Sequence, residues 1–299
     1  MRSSIARAWE WLIESAIRLA GVLAIIFVLL IFAFLLRDAL PTFAEQTPLS
    51  GLLGGHEWRP TSEPAQFGML PLILGSLYVT VGALVIAVPL GLGCAIFVAE
   101  IAPPWMREIL KPTVEVLAAI PSVVYGFLGL LMIGPWLADV FGLPIGQFAA
   151  LGSLLLAFMA IPTIVSISED ALRNVPVALR DSSLALGATR WQTIVRVIVP
   201  AARSGLIAAS LLGLARAIGE TMTVLMVTGN APVMPRALLG FLRPIRTMTA
   251  TIAAEMGEAA HGSSHYHALF AIGLVLFVIT FLINTVADVV VRRAGGVQT

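Results

Sequence analysis

Arg216 and Glu220 stand four residues apart inside an apolar stretch spanning 206–227. A charge at membrane depth is costly and persists where it is paired or lines a polar pathway. At i,i+4 the two side chains share one helix face and can pair with each other. A guanidinium offers planar donors suited to the oxygens of an oxyanion, a geometry lysine does not reproduce. Glu220 would hold Arg216 in position and keep the empty site from trapping an anion too tightly. The alternative is an ion pair that locks helix packing, and as an intramembrane acid Glu220 also leaves proton coupling open.

Other residues offer weaker chemistry. Thr221, Thr223 and Thr228 follow the pair and present hydroxyls either to a pathway or, more commonly, to a preceding carbonyl of their own helix. Ser122 and Tyr125 follow Pro121 in a second apolar stretch, where a proline frees backbone groups that need partners. They line a path there or fill a kink beside Gly126 and Gly129. Lys111 and Glu115, four apart at a span edge, pair and snorkel to the interface. Arg236, Arg243 and Arg246 form an anion-attracting vestibule, a dock for an acidic surface, or an ordinary solvated loop. His261, His265 and His267 with Tyr266 read as a polar loop rather than a metal site. The chain has no H-E-x-x-H or G-x-S-x-G, and all four histidines fall in loops, which argues against an intramembrane enzyme.

The elements holding these residues follow from composition. Of 299 residues, 59% are apolar and 12% charged, about half the charge of a soluble domain. Mean hydropathy is +0.96. The net charge of +1 argues against bulk nucleic-acid binding, and the single Cys94 excludes an intrachain disulfide. Six apolar spans are expected near 17–36, 70–99, 113–137, 148–167, 204–228 and 268–291. The first is read as a retained span rather than a cleaved leader. Pro89, between Gly82 and Gly91, predicts a kink or broken end in the second. With both termini inside, twelve basic residues fall inside and five outside, Arg216 lying within a span. The divisions are then a terminal segment and first helix (1–36), an outer loop (37–69), a core (70–291) and an inner tail (292–299). Within the core, 168–203 is an inner loop and 229–267 an outer one, whose 240–256 stretch reads as a surface or re-entrant helix. A-I-P-S (119–122) and A-I-P-T (160–163) echo one another, and nothing is built on that echo. The one lysine, Lys111, precedes proline, so no phosphate-cradling G-K-[ST] exists. An ATP-driven mechanism therefore needs a separate ATPase.

In the inner loop, RDSSLALGATRWQTIVRVIVP (180–200), Leu184, Ala188, Trp191, Val195 and Ile198 recur at helical spacing. Gly187 lies on that face and permits close backbone approach. Such a helix docks in a partner's groove or lies on the bilayer. The segment resembles the E-A-A-x3-G-x9-I-x-L-P loop of ABC importer permeases. Asp181, Ser182 and Ser183 stand for Glu-Ala-Ala; Gly187 and Pro200 match, and Val197 and Val199 replace Ile and Leu. The runs EWRPTSEPAQFGMLPLILGSLYVT (57–80), EVLAAIPSVVYGFLGL (115–130), ARAIGETM (215–222) and IGLVLFVITFLINTVAD (272–288) resemble permeases of phosphate-specific ABC importers. The PstC-like type fits better than its PstA-like partner.

The resemblance implies an all-α polytopic membrane protein of six transmembrane helices with the type I importer permease fold, in a bacterial inner membrane. It implies a permease subunit without its own nucleotide site, translocating inorganic phosphate through Arg216 and Glu220. Residues 181–200, including Trp191, would dock on an ATPase dimer (PstB-like), which uses ATP and Mg. A second permease and an extracytoplasmic phosphate-binding protein (PstS-like) complete the expected assembly, in contact with membrane lipid. An ABC permease for another oxyanion or small solute and a self-sufficient proton-coupled secondary transporter remain as alternatives.

Overall fold

The structure, a computed structural model, describes residues 4–45, 49–235 and 238–295. Helix α1 (Ser4–Glu45) is one continuous helix of 42 residues. It exceeds the expected 17–36 and takes in residues assigned to the following loop. Arg37 and Asp38 are compatible with helix, and Pro41, which removes one i→i−4 bond, stands only a turn from the helix end. None of its most apolar window is buried. It leans on the last helix through Phe32 against Phe277 and Phe34 against Phe270.

Helix α2 (Leu49–Gly54) leads into a two-stranded hairpin, β1 (Trp58–Arg59) and β2 (Gln66–Phe67), with Trp58 opposite Phe67. Helix α3 (Leu70–Ile96) is continuous through Pro89, so the kink or broken end expected there is not a break at the proline itself, and the helix changes to π geometry over Phe97–Ile101. Buried Ala87 and Gly91 flank Pro89, so tertiary packing holds the helix across the missing bond. Helix α4 (Pro104–Ala119) stops where Ile120 turns extended ahead of Pro121. The expected third span, 113–137, is therefore broken. The crossing is made instead by α5 (Ser122–Leu128), a π segment (Gly129–Ile133) and α6 (Gly134–Phe141).

Helix α7 (Ala149–Arg173) is the most enclosed span, 61% buried in its apolar window. Its Leu156, Ala160 and Ile164 form the main core with Val79, Ala83 and Ala87 of α3. Next come α8 (Val177–Ala185), α9 (Arg190–Thr193), a π segment (Ile194–Ile198) and α10 (Val199–Ala201). A 70° bend at Ala202 then opens α11 (Arg203–Ile218). The expected fifth span is α11 plus the short α12 (Met222–Val227), separated at Gly219–Thr221.

A 3-10 turn (Leu238–Leu242) precedes α13 (Met248–Glu255), and α14 (Ser264–Gly295) ends the described chain. Met248, Thr249, Ala250 and Thr251 are buried, so the 240–256 stretch enters the bundle rather than lying on its surface. It comes so close to α3 that a Cβ on Gly75 would sit 2.2 Å from the Arg246 carbonyl oxygen. Met248 N–H donates to Ser76 Oγ at 2.9 Å. Among the described residues five helices are long and apolar enough to cross a membrane, or six when the bent 190–218 pair counts as one. The architecture is all-α and polytopic.

Charged residues gather at the two ends of this bundle. Beside the hairpin, Glu255 accepts from Trp58 Nε1 at 3.0 Å, from His265 Nε2 at 2.8 Å and from Arg246 Nη1. This corrects the reading of Arg246 as an anion-attracting or solvated loop residue: it is a largely buried partner of Glu255. His267 donates to the Asp38 carbonyl and His261 stacks on Tyr266. No metal-binding group occurs among the described residues. Arg236 lies outside the described residues. At the opposite end Lys111 turns from its expected partner Glu115 to Glu169, 3.4 Å away, and Asp170. Glu169 also holds Arg173 at 2.8 Å. A carboxylate only 2% exposed needs cations more than a surface glutamate does.

Candidate functional site

Pro121 follows the end of α4, and carbonyls of its last turn lack an i+4 N–H donor, Leu117 receiving only the long cap bond from Ile120 N–H. Two side chains reach them. Tyr125 Oη donates to the Leu117 carbonyl at 3.1 Å, and Arg216 Nη2 to the Ala118 carbonyl at 3.4 Å. The C-terminal end of a helix carries partial negative charge, which suits a guanidinium at membrane depth. Arg216 Nη1 donates in addition to Thr163 Oγ1 of α7 at 3.3 Å. Both arginine bonds are long, the side chain is exposed on an open face of the chain, and further N–H groups stay available to a ligand.

The expected Arg216–Glu220 pair does not form. Helix α11 ends at Ile218 with Gly219 as its cap, so the residues are not on one continuous helix and i,i+4 geometry is lost. The Glu220 carboxylate instead accepts from Thr223 N–H at 3.1 Å, tying down the start of α12. Its backbone carbonyl accepts from Thr249 Oγ1 of α13 at 2.8 Å. Both charges thus sit at a break, each held by a different neighbour.

The threonines divide. Thr228 Oγ1 bonds the Val224 carbonyl within its own helix, as such residues commonly do. Thr223 Oγ1 reaches across to the Ser122 carbonyl at 2.9 Å, stitching α12 to α5. Ser122 and Tyr125 therefore lie beside the charged residues, joined through the break at Pro121. Thr163 was missed from sequence. The signal was the A-I-P-[ST] echo: Arg216 bonds the residue preceding one copy and the hydroxyl ending the other.

The 180–200 segment is not one amphipathic helix. It is two limbs joined at Leu186–Thr189, where Gly187 adopts φ +85°. Nothing lies within 4 Å of where its Cβ would be, so this glycine serves the left-handed turn and not a close approach. Thr189 and Gln192 form a reciprocal capping box that starts the second limb. Ser183 is buried and shares a hydrogen bond with Thr193 Oγ1, holding the limbs together. Ile194 and Ile198 face inward. Asp181, Ser182 and Pro200 are exposed, as are Leu186 (89%) and Trp191 (62%), so the tip presents apolar side chains.

The family described as "Binding-protein-dependent transport system inner membrane component" matches residues 87–296. A probable ABC transporter permease protein, YqgH, of Bacillus subtilis is 45% identical over 225 residues, 75% of this chain and 72% of the relative. The phosphate transport system permease protein PstC of Pasteurella multocida is 35% identical over 289 residues, 88% of each. That of Haemophilus influenzae is 37% identical, covering 79% of each. Among solved structures, a bacterial alginate ABC transporter chain superposes with TM-score 0.63 at 16% identity, over 96% of this chain and 98% of that one. An inward-facing MetNI methionine transporter chain gives 0.56 at 22%, over 78% and 99%. At such identities these two structures speak for the fold alone. The family match over most of the sequence, carried by relatives at 35% identity and above, places the chain in the binding-protein-dependent transport system inner membrane component family.

Proposed function

We propose that this chain is one transmembrane permease subunit of an ATP-driven importer that moves inorganic phosphate across a cytoplasmic membrane. The observation that carries the cargo is the run of phosphate permease relatives over most of the chain. The geometry around Arg216 supports it: a guanidinium held at its edge by Thr163 and the Ala118 carbonyl, with donors left for an anion. Arg216 would bind phosphate oxygens. Glu220, fixed to the start of α12, would shape the site from the other side of the break, with Ser122 and Tyr125 beside it. An arginine exposed at membrane depth is untenable against lipid, so a second permease subunit would cover this face and complete the path.

The distribution of Arg and Lys supports both termini and the 177–201 end being cytoplasmic. The exposed Leu186 and Trp191 then form the knob that enters an ATPase groove, ATP and Mg being used by that partner. An extracytoplasmic binding protein would deliver phosphate to the end carrying the hairpin and the 229–263 segment.

Radiolabelled phosphate uptake at low external phosphate, with the partner subunits present and this chain present or absent, tests the proposal. Uptake that needs the chain and resists competition by sulfate supports it; unchanged uptake would replace the phosphate assignment. Arg216→Gln abolishes uptake while the ATPase still co-purifies; retained uptake removes Arg216 from the path.

A further inference from the structure

We propose that Arg180 and Glu100 form the joint through which movement of the 177–201 segment reaches the spanning helices; this rests on reading that segment as the ATPase dock. Segment 177–201 is built to move as one body, since the Ser183–Thr193 hydrogen bond is buried between its limbs. Arg180, on the first limb, ties that body to two helices at once. One guanidinium nitrogen pairs with Glu100 Oε2 in the π segment that ends α3, and the other donates to the Leu172 carbonyl in the last turn of α7 at 2.8 Å.

The surroundings distinguish this pair from a simple stabilising contact. Glu100 is only 7% exposed, yet its second oxygen has no hydrogen-bond partner among the described residues. That carboxylate borders a cavity of about 320 Å³, also lined by Arg107, Asp181, Arg190 and Thr193. The open space beside Glu100 and the neighbouring Arg107 and Arg190 leave room for the pair to re-form in a second arrangement. Two of the three described π segments, 97–101 and 194–198, lie together here, with Ile194 and Ile198 packed among Ala95 and Ala99; π geometry within helices is frequent where a helix must adjust. The far end of the route is the anion site, because α7 also carries Thr163, which accepts from Arg216.

The assembled transporter in proteoliposomes gives the test. In Glu100→Gln the ATPase still co-purifies and hydrolyses ATP, while phosphate moved per ATP falls about tenfold. Arg180→Lys, which keeps charge but loses the second bond, falls between it and the unaltered complex. The double variant Glu100→Gln/Arg180→Gln is no worse than the poorer single. A cargo-independent readout is a nitroxide on Cys94, the chain's one cysteine, exposed on α3, with the partner subunits free of cysteine. ATP changes its spectrum in the unaltered complex and not in Glu100→Gln. Absence of phosphate uptake by the unaltered complex faults the cargo reading, and the nitroxide still decides the joint. Unchanged transport per ATP in Glu100→Gln, or a spectrum indifferent to ATP in the unaltered complex, overturns the joint. So does loss of the ATPase from both Glu100→Gln and Arg180→Lys, since the pair is then a folding contact.

Discussion

At the scale of single residues, the site is organised by backbone groups released at helix breaks. Arg216 is held by one carbonyl and one hydroxyl rather than by an opposing carboxylate. Thr163 is therefore a positioning residue, and removing its hydroxyl frees the guanidinium to swing. Thr163→Val is expected to raise the KM for phosphate uptake about tenfold, the scale of one hydrogen bond to a charged group. Thr163→Ser restores it, and the thermal midpoint of the purified complex stays unchanged in both. A loss of maximal rate with unaltered KM would contradict this role. Arg216 and Glu220 were legible from sequence as charges out of place, because any charge in a long apolar run is conspicuous. Their partners were not, since Thr163 and Ala118 lie 53 and 98 positions from Arg216.

At the scale of elements, two glycines separate backbone demand from packing demand. Gly187 sits at φ +85° in open space, so a side chain meets no neighbour but must hold a left-handed backbone, at about 1 kcal/mol. Gly187→Ala weakens ATPase co-purification and Gly187→Asn, which tolerates this conformation better, weakens it less; equal loss in both would point to a steric cause. Gly75 is the opposite case. A methyl group there would strike the Arg246 carbonyl and push α13 off α3, an overpacking cost of about 1–3 kcal/mol. Gly75→Ala should lower the melting temperature of the complex. The expected spans were right in number and broadly in place, and wrong at their interruptions. Pro121 breaks its helix whereas Pro89 and Pro162 do not, and sequence offers the same residue in each case.

At the scale of the whole molecule, Glu255 joins the distant hairpin, through Trp58, to Arg246 ahead of α13 and His265 at the start of α14. Replacing one member of a largely buried charged group leaves the others without compensation. Glu255→Gln is expected to destabilise the fold by about 3 kcal/mol and to open the hairpin to proteolysis near Trp58. Equal protease resistance in variant and parent would contradict it. The opposite end uses the same device with Glu169 between Lys111 and Arg173. Between these clamped ends the middle is held mainly by small apolar contacts, and there the charges of the proposed path face outward from the single chain.

The sequence by itself determined that the chain is a polytopic helical membrane protein, which charges intrude into the spans, and which loop resembles that of ABC importer permeases. Those properties are local: hydropathy over about twenty residues sets a span, and a short motif sets a loop. Tertiary structure alone decided that Arg216 and Glu220 part company, that α13 re-enters the bundle, and that Lys111, Arg180 and Arg246 serve as internal ties. The physical reason is that a desolvated charge or freed carbonyl must find a partner somewhere in the fold. Which partner it finds depends on how helices cross, and for Arg180 and Glu100 the two lie 80 positions apart, beyond any local window.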